Sequence, residues 1–406
     1  MTRTSQASRR IQHITIVSET FPPEVNGVAN TLRHLCQGLT KNGHKVTVVR
    51  PRQRHESKNT ESDANHSLFS HEYVVTGVPL PGYAELRFGL VSSRDLQRMW
   101  QTDRPDAIYV ATQGPLGIAA VSAAKKMGLP VSSGFHTNFH QYSQYYGAGF
   151  LAKPLCAYGR WFHNRTAITL VPTKKMQQVA SDMGITPTGI WSRGVDCSRF
   201  APYKRDESLR AGWGLRENDR AVLYVGRLAA EKNLQMAVSC YERISKLYPR
   251  TRFVLVGDGP MRKLLSEKHP DYIFCGTRQG EDLARHYASG DIFLFPSKTD
   301  TFGNVVLEAM ASGLAVVAYD DAAASEHIRH SENGMKAPLT MDEKFVDGAL
   351  RLTNQPSLLN RIRTQARLDA LQLRWDSQVR QFEQLVLSQS PKVQYYAPSK
   401  HSRSLL

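Results

Sequence analysis

The feature that most constrains the fold is an alternation of short apolar runs with amphipathic stretches, and this alternation begins twice along the chain. The first series begins with HITIVS at 13–18, followed by apolar residues at helical spacing and a second apolar run at 45–49. The second series begins at 221–225 and has the same order. Repeated strand–helix–strand units are typical of parallel sheets with helices on both faces. The sequence therefore predicts an α/β protein with two doubly wound, Rossmann-like domains.

The positions of the predicted elements follow from the apolar runs and the helical spacing. In the first half we expect strands at 13–18, 45–49, 107–111, 130–134 and 167–171, and helices that include 116–127 and 174–183. In the second half we expect strands at 221–225, 253–256, 272–275, 292–295 and 314–318, and helices at 233–247, 261–268, 281–288, 304–311, 341–354 and 357–387. Three stretches lack the pattern, and we predict an exposed loop at 50–70, an irregular apolar segment at 79–91 and a polar connection at 195–220.

The length of 406 residues fits two domains. We place an N-terminal domain at 1–193, a second domain at 194–370, a helix that crosses back at 371–388 and a disordered tail at 389–406. Two such domains face each other across a central cleft, and open parallel sheets bind ligands at the carboxyl ends of their strands. Functional residues are therefore expected in the turns that follow strands.

Composition excludes several classes of protein. Hydrophobic residues make up 41% of the chain, too many for a disordered protein, yet no apolar run approaches the roughly 20 residues that span a bilayer. The basic N-terminus has no apolar segment behind it, which argues against a secretory signal. The five cysteines are scattered and have no CxxC spacing. The sequence therefore predicts a cytoplasmic protein with reduced thiols and without a zinc site.

The net charge of +16 is unevenly distributed. Residues 1–195 carry a net charge of +11, and residues 196–406 carry +5. A basic first half predicts an anionic partner, and charge alone leaves nucleic acid, a membrane surface and a phosphorylated substrate open.

The turn after the first predicted strand, EVNGVAN at 24–30, could lie against a phosphate. Gly27 allows close approach to the backbone, and the N-terminus of the following helix favours an anion. The segment is not GxGxxG, so the dinucleotide fingerprint is absent. For this segment alone an ordinary strand-to-helix turn is the better interpretation.

Two cations, Arg227 and Lys232, follow the strand at 221–225. At the mouth of the cleft they would neutralise a diphosphate. A solvated charged turn explains them equally well.

The segment SKTDTFGNVVLE at 297–308 also runs from a strand into a helix. Asp300 lies before the helix and Glu308 about one turn inside it, so both carboxylates could line one pocket and accept hydrogen bonds from sugar hydroxyls. Capping and a solvated helix face are the alternative, but Gly303 directly before the helix favours a site.

His136 and His140 in GFHTNFH have the i,i+4 spacing that binds a metal on a helix. Since no HExxH pattern or third ligand accompanies them, His136 is better interpreted as a polar contact or proton handler at the end of a strand. A structural histidine with satisfied hydrogen bonds remains the alternative. GxxxxGK[ST], GxSxG and a metal-binding Asp-x-Asp are absent, which argues against P-loop hydrolases, esterases and metal-dependent transferases.

The combined motifs resemble one family. YVGRLAAEKN, FVLVGDGP and FPSKTDTFGNVVLEAMASG, in this order, resemble the retaining glycosyltransferases of family 4, which have the GT-B fold. TFPPEVNGVANTL, SGFHTNFHQY and WSRGVD match the same family, so the resemblance covers about residues 12–388. PLPGYAELRFGL and RWFHNRTAITLVPT are similar to the branch with GDP-mannose-dependent α-mannosyltransferases and glycolipid or sulfolipid synthases.

The resemblance implies a catalytic role for four residues. Arg227 and Lys232 would bind the departing diphosphate, and His136 would lie beside the transferred sugar. Asp300 would contact that sugar, and it stands where many members have Glu, which leaves its reach and the choice of sugar open.

The resemblance also implies donor-binding residues. Gly27 would approach the donor phosphates, and Glu308 would hold the ribose hydroxyls of the nucleotide. Backbone contacts would come from the turn residues Thr301, Phe302, Gly303, Asn304 and Val305.

The expected activity is transfer of a hexosyl group from GDP-mannose or a UDP-hexose, without a metal or other cofactor. The basic first half, with the loop at 50–58 and the apolar segment at 79–91, favours a lipid acceptor at the inner face of an anionic membrane. A soluble or polysaccharide sugar acceptor is the alternative. A basic nucleic-acid-binding protein without enzymatic activity is a remote one, because it leaves Arg227, Lys232, Asp300 and Glu308 unexplained.

Overall fold

The computed structural model describes residues 11–388 except 25, 54–55, 57–68, 81–82, 137–151, 299 and 301, with the backbone alone described at 80, 83–86 and 152. Within these residues the chain forms two β-sheets, each covered by helices. The predicted tail at 389–406 lies outside the described residues. The α/β class and the two doubly wound sheets predicted from the alternation of apolar runs are confirmed.

The first sheet has eight strands in the order β4-β3-β2-β1-β5-β6-β7-β8, all parallel to their neighbours except for the antiparallel pair β3 and β4. The strands are β1 His13–Val17, β2 Lys45–Pro51, β3 His71–Leu80, β4 Tyr83–Leu90, β5 Ala107–Val110, β6 Val131–Gly134, β7 Thr169–Val171 and β8 Thr188–Ile190.

The second sheet has six strands, all parallel, in the order β11-β10-β9-β12-β13-β14. The strands are β9 Arg220–Val225, β10 Thr251–Val256, β11 Ile273–Gly276, β12 Ile292–Phe295, β13 Ala315–Tyr319 and β14 Met335–Ala337.

The helices of the described residues connect these strands and cover both faces of each sheet. They are α1 Gly27–Lys41, α2 Ser93–Thr102, α3 Pro115–Lys126, α4 Ala152–His163, α5 Lys174–Asp182, α6 Glu207–Gly212, α7 Leu234–Leu247, α8 Arg262–Lys268, α9 Gly280–Ser289, α10 Asn304–Ala311, α11 Ala322–His327, α12 Asp342–Asn354, α13 Pro356–Ala370 and α14 Trp375–Leu387.

Strand β1 shows why the first sheet is a two-sided core. All five of its residues are buried. Ile14 and Ile16 pack into the apolar cluster that contains residues of α1, and Val17 packs into the cluster on the other face, which contains residues of α3. A strand covered on both faces has a continuous apolar sequence rather than an alternating one, as HITIV does.

Two stretches that were predicted to be irregular contain regular secondary structure. The stretch at 79–91, expected to be irregular, belongs largely to the antiparallel strands β3 and β4, which pair from Thr76–Leu90 to Leu80–Tyr83. The connection at 195–220 contains the short helix α6. Prolines and glycines interrupt the period-two pattern of the first segment, and pairing at the edge of a sheet compensates for this.

The predicted helix at 357–387 is two helices. A single 3₁₀ turn at Leu371–Leu373 and the extended residue Arg374 (φ −68°, ψ 148°) separate α13 from α14. This break allows the chain to leave the second sheet and return to the first, where Val379, Phe382 and Val386 join the core of the first sheet. The Trp191 indole N–H also donates to the Gln378 carbonyl at 3.0 Å.

The two halves are in direct contact at several points. Lys175 Nζ lies 2.6 Å from Asp321 Oδ1, and the backbone N–H of Lys174 donates to Glu326 Oε1 at 2.8 Å. The two chain crossings run side by side, because the Val195 N–H donates to the Leu373 carbonyl at 2.9 Å. The carboxyl ends of both sheets therefore face one cleft.

Candidate active site

The candidate residues of the second half lie where the order of its strands reverses. From β9 the chain moves outward through β10 and β11, and then returns to β12 on the other side of β9. The turns at 226–232 and 296–303 follow β9 and β12, so they flank one crevice at the carboxyl end of the sheet. Open parallel sheets bind ligands at this topological switch point.

Lys232 and Asp300 meet in this crevice. Lys232 Nζ lies 2.8 Å from Asp300 Oδ1, and the two side chains are only 23% and 21% exposed. The second oxygen, Asp300 Oδ2, is buried and has no hydrogen-bond partner among the described residues. The ion pair therefore places the Lys232 ammonium group at the switch point and leaves one oxygen of Asp300 available to a ligand.

Arg227 has a fixed backbone and an exposed side chain. The Tyr224 hydroxyl donates to the Arg227 carbonyl at 3.0 Å. The side chain is 65% exposed, with Nη1 3.6 Å from Glu231 Oε1. Because this pair is open to solvent, Arg227 can turn towards an anion at little energetic cost.

Gly303 shapes the turn after β12. Its φ is +82°, and an added Cβ would lie 3.0 Å from the Phe295 Cζ, so a side chain would be both strained and crowded. Gly303 caps α10 without a side-chain hydrogen bond, which leaves the first N–H groups of the helix for an anion. Asn304 Oδ1 beside them is buried, and no described residue hydrogen-bonds it.

The other turn residues that were predicted to make backbone contacts differ in whether their backbone groups are available to a ligand. Thr301 lies outside the described residues. The Phe302 carbonyl accepts a hydrogen bond from the Ala323 N–H at 2.7 Å, so this carbonyl is already engaged within the protein. Val305 lies in the first turn of α10, where its N–H points out of the helix N-terminus.

Gly27 faces the same turn from the first half of the chain. It begins α1, and the Asn26 side chain accepts a hydrogen bond from the Ala29 N–H at 2.8 Å. A Cβ built on Gly27 would have Asn304 Nδ2 as a neighbour at 3.9 Å. The N-termini of α1 and α10 therefore meet across the cleft, and their aligned peptide dipoles favour an anion between them.

Glu308 lies one turn inside α10. Its Oε2 accepts a hydrogen bond from the Tyr287 hydroxyl at 2.9 Å. Burial raises the pKa of Glu308 to about 7, against the opposing effects of Tyr287 and the Arg199 charge. The carboxylate is thus oriented by one partner and titrates near neutral pH.

If Glu308 binds ribose hydroxyls, the affinity for a nucleoside-diphosphate sugar should increase from pH 6 to pH 8. The ionised carboxylate accepts both hydroxyl hydrogen bonds, and with a pKa of about 7 only about one tenth of Glu308 is ionised at pH 6. We expect titration calorimetry to show up to about tenfold weaker binding at pH 6 than at pH 8. The Glu308→Gln variant should bind the nucleotide sugar more weakly, and its affinity should not depend on pH in this range. If the variant kept the pH dependence of the wild type, the assignment of Glu308 to the ribose would be refuted.

His136 is buried at the end of β6. Its Nε2 lies 2.6 Å from the Tyr109 hydroxyl, and its buried Nδ1 has no hydrogen-bond partner in the part of the chain that the structure describes. Burial, together with the nearby charge of Arg193, lowers the pKa of His136 well below its usual value, so the imidazole is neutral at pH 7. It therefore suits a neutral hydrogen-bonding role rather than that of a cation. His140 lies outside the described residues.

The structure adds two charged residues that the motifs did not single out as site residues. Glu19 follows β1 at the switch point of the first sheet, accepts a hydrogen bond from the Leu116 N–H at 3.1 Å and has its pKa raised to about 7 by burial. Arg193 follows β8 and is only 4% exposed. Their position after a strand was the available signal, but only the tertiary fold shows that they are buried.

One residue of the predicted basic loop is unsuited to the role expected of it. Arg50 is 1% exposed, with Nε 2.6 Å from Glu72 Oε1 and Nη2 2.7 Å from Glu56 Oε1. Two carboxylates neutralise it inside the protein, so it is withdrawn from any membrane surface. Residues 54–55 and 57–58 of this loop lie outside the described residues.

The described residues contain no group of three or more His, Cys, Asp or Glu side chains placed to hold a metal ion. None of the helices in the described ranges combines the length and the apolarity needed to cross a bilayer.

Two family models match the chain. The one described as Glycosyltransferase Family 4 matches residues 25–199, and the one described as Glycosyl transferases group 1 matches residues 219–355. The first match contains strands β2 to β8 of the first sheet, and the second contains strands β9 to β14 of the second sheet.

Similar proteins have names consistent with these families. A GDP-mannose-dependent alpha-mannosyltransferase of Corynebacterium glutamicum is 33% identical over 80% of this chain and 76% of its own length. An alpha-monoglucosyldiacylglycerol synthase of Streptococcus pneumoniae is 26% identical over 75% of this chain and 70% of its own. Among solved structures, Anabaena HepE in complex with UDP superposes with a TM-score of 0.72 at 17% identity. The match spans 92% of this chain and 99% of the HepE chain. At this low identity the similarity to HepE is evidence for a shared fold alone.

Proposed function

The chain belongs to glycosyltransferase family 4 and has the GT-B fold, and from this premise we propose that it moves a hexosyl group from a nucleoside-diphosphate sugar to a hydroxyl of a membrane lipid, with retention of the anomeric configuration. GDP-mannose is the first candidate donor, because the relative from Corynebacterium glutamicum is named for it. A UDP-hexose is the alternative. Hexosyl transfer follows from the family, and the donor, the acceptor and the stereochemistry are the proposal.

One observation carries the proposal: the helix N-termini at Gly27 and Gly303 meet across the cleft, beside the Lys232–Asp300 ion pair. A diphosphate placed there would lie between two positive helix ends and one partly buried cation. Asp300 Oδ2, which has no partner among the described residues, would then accept a hydrogen bond from the sugar.

In the proposed reaction the bond between the anomeric carbon and the β-phosphate oxygen breaks, and a bond from that carbon to the acceptor oxygen forms on the same face. The acceptor proton passes to the departing phosphate oxygen. Negative charge grows on the diphosphate during this step, and Lys232, Arg227 and the N–H groups of α10 stabilise it in place. His136 stays neutral, as its lowered pKa indicates, and in this proposal it hydrogen-bonds the substrate.

We propose that the reaction needs no metal ion, because Lys232 and Arg227 supply the charge that would otherwise neutralise the diphosphate. Activity in EDTA should then equal activity in Mg²⁺. A loss of turnover in EDTA that Mg²⁺ restores would refute this part of the proposal.

The lipid acceptor is supported by the surface of α4 in the first half of the chain. Trp161 is 47% exposed, and the Arg165 guanidinium lies 5.0 Å from the centre of its ring. Lys153 and Arg160 are exposed on the same helix. An exposed tryptophan among cations suits the interface of an anionic membrane. The relative from Streptococcus pneumoniae is named for a diacylglycerol product.

The proposed function is tested by offering labelled GDP-mannose, UDP-glucose and UDP-glucuronate with phosphatidylglycerol vesicles that contain diacylglycerol or its glycosides. We expect transfer of hexose from one donor to lipid, identified by mass spectrometry of the extracted product. Transfer only to added soluble sugars would refute the lipid acceptor, and the absence of transfer and of donor hydrolysis would refute the whole proposal.

A separate experiment tests membrane binding. The protein should sediment with phosphatidylglycerol vesicles and be recovered less with phosphatidylcholine vesicles, and Trp161→Ala should reduce the recovery. Equal recovery with both vesicles at moderate salt would contradict a role for the basic surface.

A further inference from the structure

Arg193 is a buried cation that has no carboxylate partner among the described residues. Three arginines are buried among the described residues, and two of them have acidic partners: Arg50 pairs with Glu56 and Glu72, and Arg210 pairs with Asp291 at 3.0 Å. Arg193 has no ion pair with any described residue, and its Nη1 is buried without a hydrogen bond. Residues 137–151, which follow His136 in the sequence and lie outside the described residues, contain no Asp or Glu.

This arrangement is costly for folding, because a charge removed from water needs a compensating partner. Burial also lowers the pKa of Arg193 to about 10, which still leaves it protonated at neutral pH. The protein thus keeps a full charge inside the structure that no described residue neutralises. Such a site calls for an external anion.

The surroundings of Arg193 locate that anion in the cleft. The guanidinium carbon lies 6.0 Å from the centre of the Phe302 ring, in the turn that follows Asp300. On its other side its charge acts on Tyr109 and His136 of the first half. Arg193 therefore sits between the turn after β12 and the end of β6, both of which border the cleft.

A second unpartnered group, His136 Nδ1, lies beside it. The Tyr109 hydroxyl has His136 Nε2, at 2.6 Å, as its hydrogen-bond partner among the described residues. When the hydroxyl donates to Nε2, the neutral imidazole carries its proton on Nδ1, which becomes a donor. Arg193 Nη1 and His136 Nδ1 are then two buried donors that lack an acceptor.

We propose that Arg193, with His136 beside it, binds an anionic oxygen of the sugar nucleotide on the side of the cleft formed by the first half of the chain. This assignment rests on the proposed function. The oxygen belongs either to the diphosphate or to an acidic substituent of the hexose, and the two share the chemistry of a charge-assisted hydrogen bond.

The test compares Arg193→Met and Arg193→Lys with the wild type by titration calorimetry with GDP, UDP, GDP-mannose, UDP-glucose and UDP-glucuronate. Methionine keeps an apolar stem against Phe302 without the charge, and lysine keeps the charge. We expect Arg193→Met to weaken binding of the cognate ligand by roughly 10- to 100-fold. Arg193→Lys should weaken binding less, because it keeps the charge. The unliganded Arg193→Met protein should be at least as thermally stable as the wild type, because it buries no unpaired charge.

The pattern across ligands identifies the source of the oxygen. Equal weakening for a nucleoside diphosphate and its sugar derivative assigns Arg193 to the diphosphate. Weakening confined to UDP-glucuronate assigns it to an acidic sugar. Weakening for neutral hexoses without weakening for GDP or UDP would refute an anionic ligand.

The remaining outcomes separate this proposal from the function on which it rests. If the wild type binds no nucleotide, the proposed function fails. If the wild type binds and Arg193→Met binds equally well, the Arg193 assignment alone fails, and a lower melting temperature with unchanged affinity would show that the residue is structural.

Discussion

Replacing Lys232 with alanine is expected to reduce kcat by about 10²–10³-fold, the size of effect seen when one preorganised charge stabiliser is removed from an active site. The ammonium group is only 23% exposed and lies at the switch point of the second sheet. Its charge is felt most strongly when the diphosphate departs, so KM for the donor should change much less than kcat. Steady-state kinetics with the donor found in the transfer assay measures both constants.

A loss of activity could also arise because Lys232→Ala leaves Asp300 without its partner. A double-mutant cycle with Asp300→Asn separates the two effects. If Lys232 acts on the diphosphate, Lys232→Ala will still lower kcat strongly in the Asp300→Asn background, whereas no further loss there would mean that Lys232 only neutralises Asp300. Lys263→Ala is the matched control, because that lysine is 88% exposed on α8 and should leave kcat unchanged.

The parts of the fold that the sequence predicted are those whose burial is repeated along the chain. Strand β1 and helix α10 were found because continuous apolar residues or helical spacing mark elements packed on a two-sided sheet. The order of strands around β9 and β12 then brings Lys232 and Asp300 together. Residues placed directly after strands could therefore be selected as candidates before their contacts were known.

What the sequence could not predict depends on contacts between distant segments. Strand β4 is a strand because it pairs with β3 at an edge, and its local pattern is interrupted. Arg50 and Arg193 are the same residue type in the sequence, yet Glu56 and Glu72 neutralise Arg50, whereas no carboxylate among the described residues pairs with Arg193. Charge counting treats both as surface cations, and only tertiary burial distinguishes them.

Asp300 shows what the sequence resemblance and the structure each contribute. The resemblance to the family raised the question of how far an aspartate reaches where many members have Glu. The structure shows one oxygen engaged with Lys232 and the other without a partner among the described residues. The shorter side chain is thus tied to Lys232, and the choice of sugar stays a prediction for the donor screen.

The second large effect is expected from Phe382→Ala in the helix that returns to the first sheet. Phe382 is fully buried, and its ring lies 5.1 Å from the rings of both Tyr109 and Trp191. Removing a buried phenylalanine side chain costs about 3–5 kcal/mol of folding free energy, through lost burial and the cavity that remains. Because α14 follows the second sheet in sequence but packs on the first, hydrogen exchange should accelerate in β1 and β5 more than in β9 and β12.

The control for this prediction is Leu368→Ala on α13, a substitution of similar chemistry at a side chain that is 51% exposed, which should change stability by less than about 0.5 kcal/mol. Phe382→Ala should also lower activity beyond its effect on stability, since Phe382 packs against Tyr109, whose hydroxyl holds His136 at 2.6 Å. Exchange that accelerates equally in both sheets would mean that they unfold as one unit, and unchanged exchange in β1 would contradict the packing of α14 on the first sheet. The link between the C-terminal helix and the active site therefore runs through two aromatic rings, and hydrogen exchange and kinetics test it independently.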